Sequence, residues 1–228
     1  MKNLNRKKLS TSLICGIIGS LCYGFGDWIM IYGDSVRLGN LKLSILTKGT
    51  ANIPHWRYSL SMLMAFIGIL FYGIALFSIE DFIIEEKSKK IYHYLNIFGL
   101  TPWIALHLFF IMILSLFSWM NQNGYSEQAI PVCEGLFSQL SWVIVACLLM
   151  MAPVFIYWFY LQFNDKTIFP RIYAFTNVIF IIIIMKIIQI NMPRSPFSLG
   201  FANGISNESM AIWFGIMLKF IRNQRNRI

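Results

Sequence analysis

Charge is scarce in this sequence. Asp, Glu, Lys and Arg together make up 13% of its 228 residues, about half the share usual in soluble domains. A water-facing shell around a chain of this size needs far more polar surface, which excludes a soluble globular domain. Cysteine is sparse as well, and Cys15, Cys22, Cys133 and Cys147 form neither a metal-ligand spacing nor a disulfide framework. Cys15 and Cys22 lie about two turns apart on one helix and cannot bridge each other. There is no phosphate-binding glycine loop, nucleophile elbow, zinc-protease motif or Cys/His cluster, so neither a metal nor another cofactor is implied. Voltage-sensor arginine arrays and selectivity-filter repeats are missing too. With no internal repeat and no polar linker, residues 1–228 read as a single integral membrane domain.

What the chain has is apolar length. Hydrophobic residues reach 57%, with 20 Phe. Runs of about 20 apolar residues, enough to span a bilayer, occur six times: approximately Ser10–Tyr32, Arg57–Ile79, Tyr92–Met120, Leu136–Phe163, Arg171–Asn191 and Ser206–Phe220. Each must be helical, because an open sheet edge has no partners in lipid. The expected fold is therefore all-α, a polytopic bundle of about six spans. The formal charge of +9 sits in short clusters between spans rather than on a broad basic face, so no nucleic-acid partner is expected. With the N-terminus inside, thirteen Lys and Arg fall in inner segments and five in outer ones. That asymmetry predicts a plasma-membrane protein with both termini cytoplasmic. The basic start and first apolar run lack a small-residue cleavage site, so an uncleaved first helix is expected. In the first outer loop, "LGNLKLSILTKG" reads as an amphipathic segment lying on the membrane surface. Trp56 and Tyr58 then read as interfacial anchors.

The few polar residues inside the spans fall into register. At about 100° per residue, Gly16, Gly19, Ser20, Tyr23 and Asp27 share one stripe of the first helix, where small side chains let another helix approach closely. Gly16, Ser20 and Gly24 are the expected seam for a homo-oligomer. An ionised carboxylate in hydrocarbon costs roughly 2.5–3.5 kcal/mol even on lenient scales, so Asp27 needs a partner. Lys186, interrupting "VIFIIIIMKIIQI", lies at similar depth; pairing with Asp27 and snorkelling outward both remain open for it. His107, mid-span in "TPWIALHLFF", is either a satisfied structural residue or a proton carrier beside a cavity. Glu134 and Glu208 are placed at the outer starts of the fourth and sixth spans, as helix-end carboxylates or ligand contacts, with Ser206 as a cap. Together with Asp34 and His55, these residues project to the outer half or middle of the bundle and predict a polar pocket opening outward. Glu80, Asp81, Glu85 and Glu86, beside Lys87, Lys89 and Lys90, read as a solvated, self-compensating segment. Tyr173 and Asn177 read as one polar stripe of the fifth helix.

The combination of "CGIIGSLCYGFGDWIMIYG", "IPHWRYSLSMLMAFIGILFYGIAL" and a histidine-bearing third span resembles an uncharacterised bacterial family of multi-helix integral membrane proteins. The resemblance implies the architecture and carries over no catalytic residue. Three functions fit: a protein that binds or transports a small amphipathic molecule; an intramembrane enzyme for lipid or isoprenoid proton transfer or hydrolysis, using His107 with Asp27 or Glu134 as the partner carboxylate; or a non-catalytic partner subunit. The first is preferred, because spacing alone places no acid–base pair. The lipid bilayer is the partner common to all three.

Overall fold

In the computed structural model, which describes residues 6–225, the chain is all-α; the described residues hold two isolated bridges and no strand. The helices are α1 (Arg6–Ile31), α2 (Lys48–Ala51), α3 (His55–Ile79), α4 (Glu86–Gln122), α5 (Ser126–Leu140), α6 (Trp142–Phe163), α7 (Val178–Ile190) and α8 (Pro196–Arg225), with 3-10 turns at Glu80–Phe82 and Arg171–Thr176. Four stretches are long and apolar enough to cross a membrane: Arg6–Ile31, His55–Phe82, Glu86–Gln122 and Trp142–Phe163. Their outward faces are apolar, with Leu70 71% and Leu149 70% exposed, a surface matched to lipid rather than water. Lys2 and Arg227, both counted toward orientation, lie outside the described residues.

Capping chemistry sets boundaries that hydropathy misses. Ser195 and Ser198 exchange reciprocal bonds, Ser195 N to Ser198 Oγ at 2.9 Å and Ser198 N to Ser195 Oγ at 3.1 Å. With Pro196 preorganised at the first helical position, α8 begins ten residues before the expected sixth span. Glu208 and Ser206 are therefore mid-helix and cap nothing. Glu134 likewise lies within α5, which is separated from α6 at Ser141 instead of forming one span with it. The expected fifth span is also broken. Asn177 takes an extended backbone and accepts from Ile179 N at 3.0 Å, so it caps α7 and shares no helical stripe with Tyr173.

Long-range contacts fix the ends of the bundle. Ile84 N donates to Lys166 O and Ile168 N to Phe82 O, which joins the α3–α4 connection to the α6–α7 turn. At the opposite end, Arg194 Nε donates to Ser35 O at 2.6 Å, joining the α7–α8 turn to the loop after α1. Residues 171–190 thus run from one end to the other, as does α8, whose Phe197 packs on Trp28 and Phe220 on Phe169. The loop after α1 does not lie flat on a membrane. Leu43 and Leu46, 4% and 1% exposed, turn inward into a core with Ile53, Leu114 and Phe117. Tyr58 is buried in the same cluster, whereas Trp56 stays exposed.

Helix α1 forms the centre, packed chiefly between α3 and α8. Gly19 and Gly68 make the closest approach: a Cβ on Gly19 would stand 2.6 Å from Phe71 Cβ and 2.8 Å from Gly68 O. The stripe expected to join a second copy is filled from within. Gly16 faces Ala75 and Phe214, Gly24 faces Asn207, and Ser20 is fully buried.

Candidate functional site

Asp27 meets His107, not Lys186. His107 Nδ1 lies 2.9 Å from Asp27 Oδ1, and the two residues are 4% and 6% exposed. On the other side of the imidazole, Nε2 lies 3.1 Å from Ser61 Oγ. Ser61 Oγ in turn stands 2.7 Å from the Gly26 carbonyl. A hydroxyl carries one hydrogen, and a carbonyl only accepts, so Ser61 donates to Gly26 O and receives from His107 Nε2–H. The Asp27–His107 contact then holds one further proton, on Nδ1 or on Oδ1. In either arrangement the pair has no net charge, which removes most of the penalty of an isolated buried carboxylate.

The second carboxylate oxygen is also satisfied. Asn207 Nδ2 donates to Asp27 Oδ2, and its Oδ1 accepts from the Tyr72 hydroxyl. These two bonds fix the amide orientation. The Tyr23 ring packs edge-on against His107 with centroids 4.9 Å apart, and its hydroxyl donates to Trp103 O at 2.7 Å. One continuous polar chain therefore links α1, α3, α4 and α8 through the middle of an apolar bundle.

The other candidates separate by place. Glu208, half-buried on α8, accepts from Trp28 Nε1 at 2.8 Å. Glu134 holds the loop after α1 against α5, accepting from Lys42 N at 3.0 Å and Leu43 N at 2.8 Å. Asp34 closes a turn with Val36 N at 2.9 Å and is exposed, as is His55. Lys186 is exposed on α7 and lines a cavity of about 380 Å³ with Arg37, Gln189, Arg194, Ser198 and Asn203. Asn203 Nδ2 is buried with no hydrogen-bond partner among the described residues. Of the expected pocket residues, Asp27 and His107 thus join a buried chain, Lys186 lines a separate cationic cavity, and Asp34, His55, Glu134 and Glu208 belong to neither.

Two participants in the buried chain, Ser61 and Tyr72, were passed over in the sequence, and Asn207 was read there only as part of the polar start of the sixth span. Ser61, Tyr72 and Asn207 are ordinary polar residues in apolar helices, and only Ser61 and Asn207 offered a signal, as polar groups facing the protein interior by register. Sequence reasoning also misread Glu80, which is 6% exposed rather than solvated. His93 Nδ1 lies 3.0 Å from Glu80 Oε2, and Asn96 Nδ2 donates to Glu80 Oε1 at 3.1 Å. The three-residue spacing of His93 and Asn96, one helical face, is the signal that would have found it. Among the described residues no group of His, Cys, Asp and Glu is arranged to hold a metal ion.

Residues 1–224 match the description of a family of unknown function, DUF6796. The chain belongs to that family. No curated protein and no solved structure matches it. Family membership covers the whole bundle described here, and an integral membrane architecture is what its four long apolar helices fit.

Proposed function

We propose that the chain is a six-pass plasma-membrane protein, both termini cytoplasmic, which binds or transports a small amphipathic molecule through the cavity between the loop after α1 and helices α7 and α8. The observation that carries this reading is the cavity itself: about 380 Å³, lined by the cationic Arg37, Lys186 and Arg194 together with apolar Ile45, Ile190 and Leu199. A wall that is mostly polar and cationic but interrupted by aliphatic side chains can meet both the head and the start of the tail of such a ligand. The end-to-end course of residues 171–190 supports six crossings, although α7 alone spans only about 20 Å. The experiment is native mass spectrometry of the full chain extracted from its own membranes. One bound amphiphile per chain is expected, and Ala202→Trp, which fills the cavity wall, should displace it. A ligand-free spectrum for the unaltered chain would end the binding reading.

One observation favours a second reading, an intramembrane hydrolase. Ser61, His107 and Asp27 are connected in the order of a catalytic triad, at 3.1 and 2.9 Å. The proton order differs, because Ser61 donates to Gly26 O instead of to the imidazole, and the hydroxyl is fully buried. A serine-reactive fluorophosphonate probe separates the two: labelling of the chain that disappears in Ser61→Ala would favour the enzyme.

A further inference from the structure

Every strongly charged group on the cavity wall has the same sign. Arg37 comes from the loop after α1, Lys186 from the last turns of α7 and Arg194 from the turn before α8, and no lining residue is acidic. Arg194 uses one donor on Ser35 O. The side chains of Arg37 and Lys186 have no hydrogen-bond or ion-pair partner among the described residues. Burial first and the neighbouring Arg37 second hold the Arg194 guanidinium below its ordinary range.

Two neutral features point the same way. Ser198 and Leu199, in the first turn of the 30-residue α8, line the cavity, which puts the positive end of a long helix dipole at its wall, with the Ser198 and Leu199 N–H groups themselves bonded to Ser195. Asn203, just over one turn further, contributes the buried Nδ2 donor that nothing among the described residues accepts. Three cations beside the positive end of a helix dipole have one complement, a group made of acceptor oxygens bearing negative charge, and Asn203 keeps an uncommitted amide N–H just beneath the same wall. Lys186 also acquires a reason to interrupt an otherwise aliphatic helix.

We infer that this cavity binds an oxyanion, phosphate or carboxylate, carried as the head of an amphipathic molecule or free in solution. The inference rests on reading the cavity as the ligand site and names the ligand's chemistry. Its test uses the full chain in nanodiscs of zwitterionic lipid, titrated calorimetrically with dodecyl phosphate, dodecyltrimethylammonium and inorganic phosphate. Dodecyl phosphate should bind at least ten-fold more tightly than the cationic amphiphile. Arg37→Gln/Lys186→Gln should lose at least ten-fold of that affinity with an unchanged melting temperature, and Lys186→Arg should retain it. Displacement by inorganic phosphate would identify the free anion as sufficient; resistance to displacement would assign the head to a lipid-like molecule, and both agree with the inference. Equal binding of the two amphiphiles would overturn the oxyanion while leaving the cavity as a ligand site. Binding of none of the three probes would remove both.

Discussion

At the scale of single residues, the central quantity is one proton. The Ser61 hydrogen is committed to Gly26 O, so Nε2 of His107 carries its own hydrogen and the Asp27–His107 bond holds the only shared one. This arrangement makes a distinctive prediction. In Asp27→Asn, the new amide would donate to His107 Nδ1 and accept from Asn207 Nδ2, keeping both bonds with no charge. Its stability should stay within about 1 kcal/mol of the unaltered chain, the scale of one net hydrogen bond. Asp27→Leu would leave His107 Nδ1 and Asn207 Nδ2 buried without partners, at about 1–3 kcal/mol each. Denaturation of the purified variants in detergent reads the difference. If Asp27→Asn were as unstable as Asp27→Leu, the pair would depend on a carboxylate and the proton assignment would be wrong. The asparagine variant also separates chemistry from folding, since an amide has no acidic proton to transfer.

At the scale of elements, α1 is held by close approach more than by side-chain bulk. Gly19 meets the backbone of α3 at Gly68, leaving no room for a methyl group without movement of Phe71 or of a carbonyl. Gly19→Ala should therefore destabilise the chain by about 1–3 kcal/mol through overpacking, despite the better helix propensity of alanine. Gly73 is the internal comparison, because a Cβ there would meet only Leu100 Cδ1, at 3.7 Å. Gly73→Ala should be neutral or stabilising, and equal melting temperatures for the two variants would contradict the packing account. The tightness of α1 is also why so much of this element could be read in the sequence. Glycines, serine, tyrosine and aspartate on one helical stripe require protein on that side, and α3 and α8 supply it. The sequence offered His107 two partner carboxylates, Asp27 and Glu134, and could not choose between them or foresee Asn207 and Ser61, because these groups are brought together from separate helices. Helix ends were misplaced for a different reason: hydropathy reports depth, whereas Ser195 and Asn177 set their boundaries by hydrogen bonding backbone N–H groups. The cavity was half visible. Lys186 stood out within its apolar run, but Arg37 and Arg194 looked like ordinary outer charges until the turn before α8 folded onto the loop after α1.

At the scale of the whole molecule, the two ends of the bundle differ in how they use charge. The end holding the α3–α4 and α6–α7 connections pairs three of its cations: Asp81 with Lys89 at 2.6 Å, Glu85 with Lys166 at 2.9 Å and Asp165 with Arg171 at 2.8 Å. Lys166, with Ser88 second, holds the Glu85 carboxyl below its ordinary range. The opposite end leaves Arg37 and Lys186 unpaired around the cavity. Orientation follows the number of Lys and Arg rather than net charge, so the proposed topology predicts the end richer in both to be cytoplasmic and the cavity to open outward. Single cysteines at Ser44, Lys87, Asn164 and Pro193, all exposed, test this in a background lacking Cys15, Cys22, Cys133 and Cys147. An impermeant maleimide should label positions 44 and 193 on intact cells, and positions 87 and 164 only after permeabilisation. Positions 164 and 193 flank residues 171–190, so labelling of both from one side would mean that this segment does not cross. Labelling of 87 but not 44 on intact cells would invert the protein and turn the cationic cavity toward the cytoplasm, where its oxyanion would have to be drawn from inside the cell.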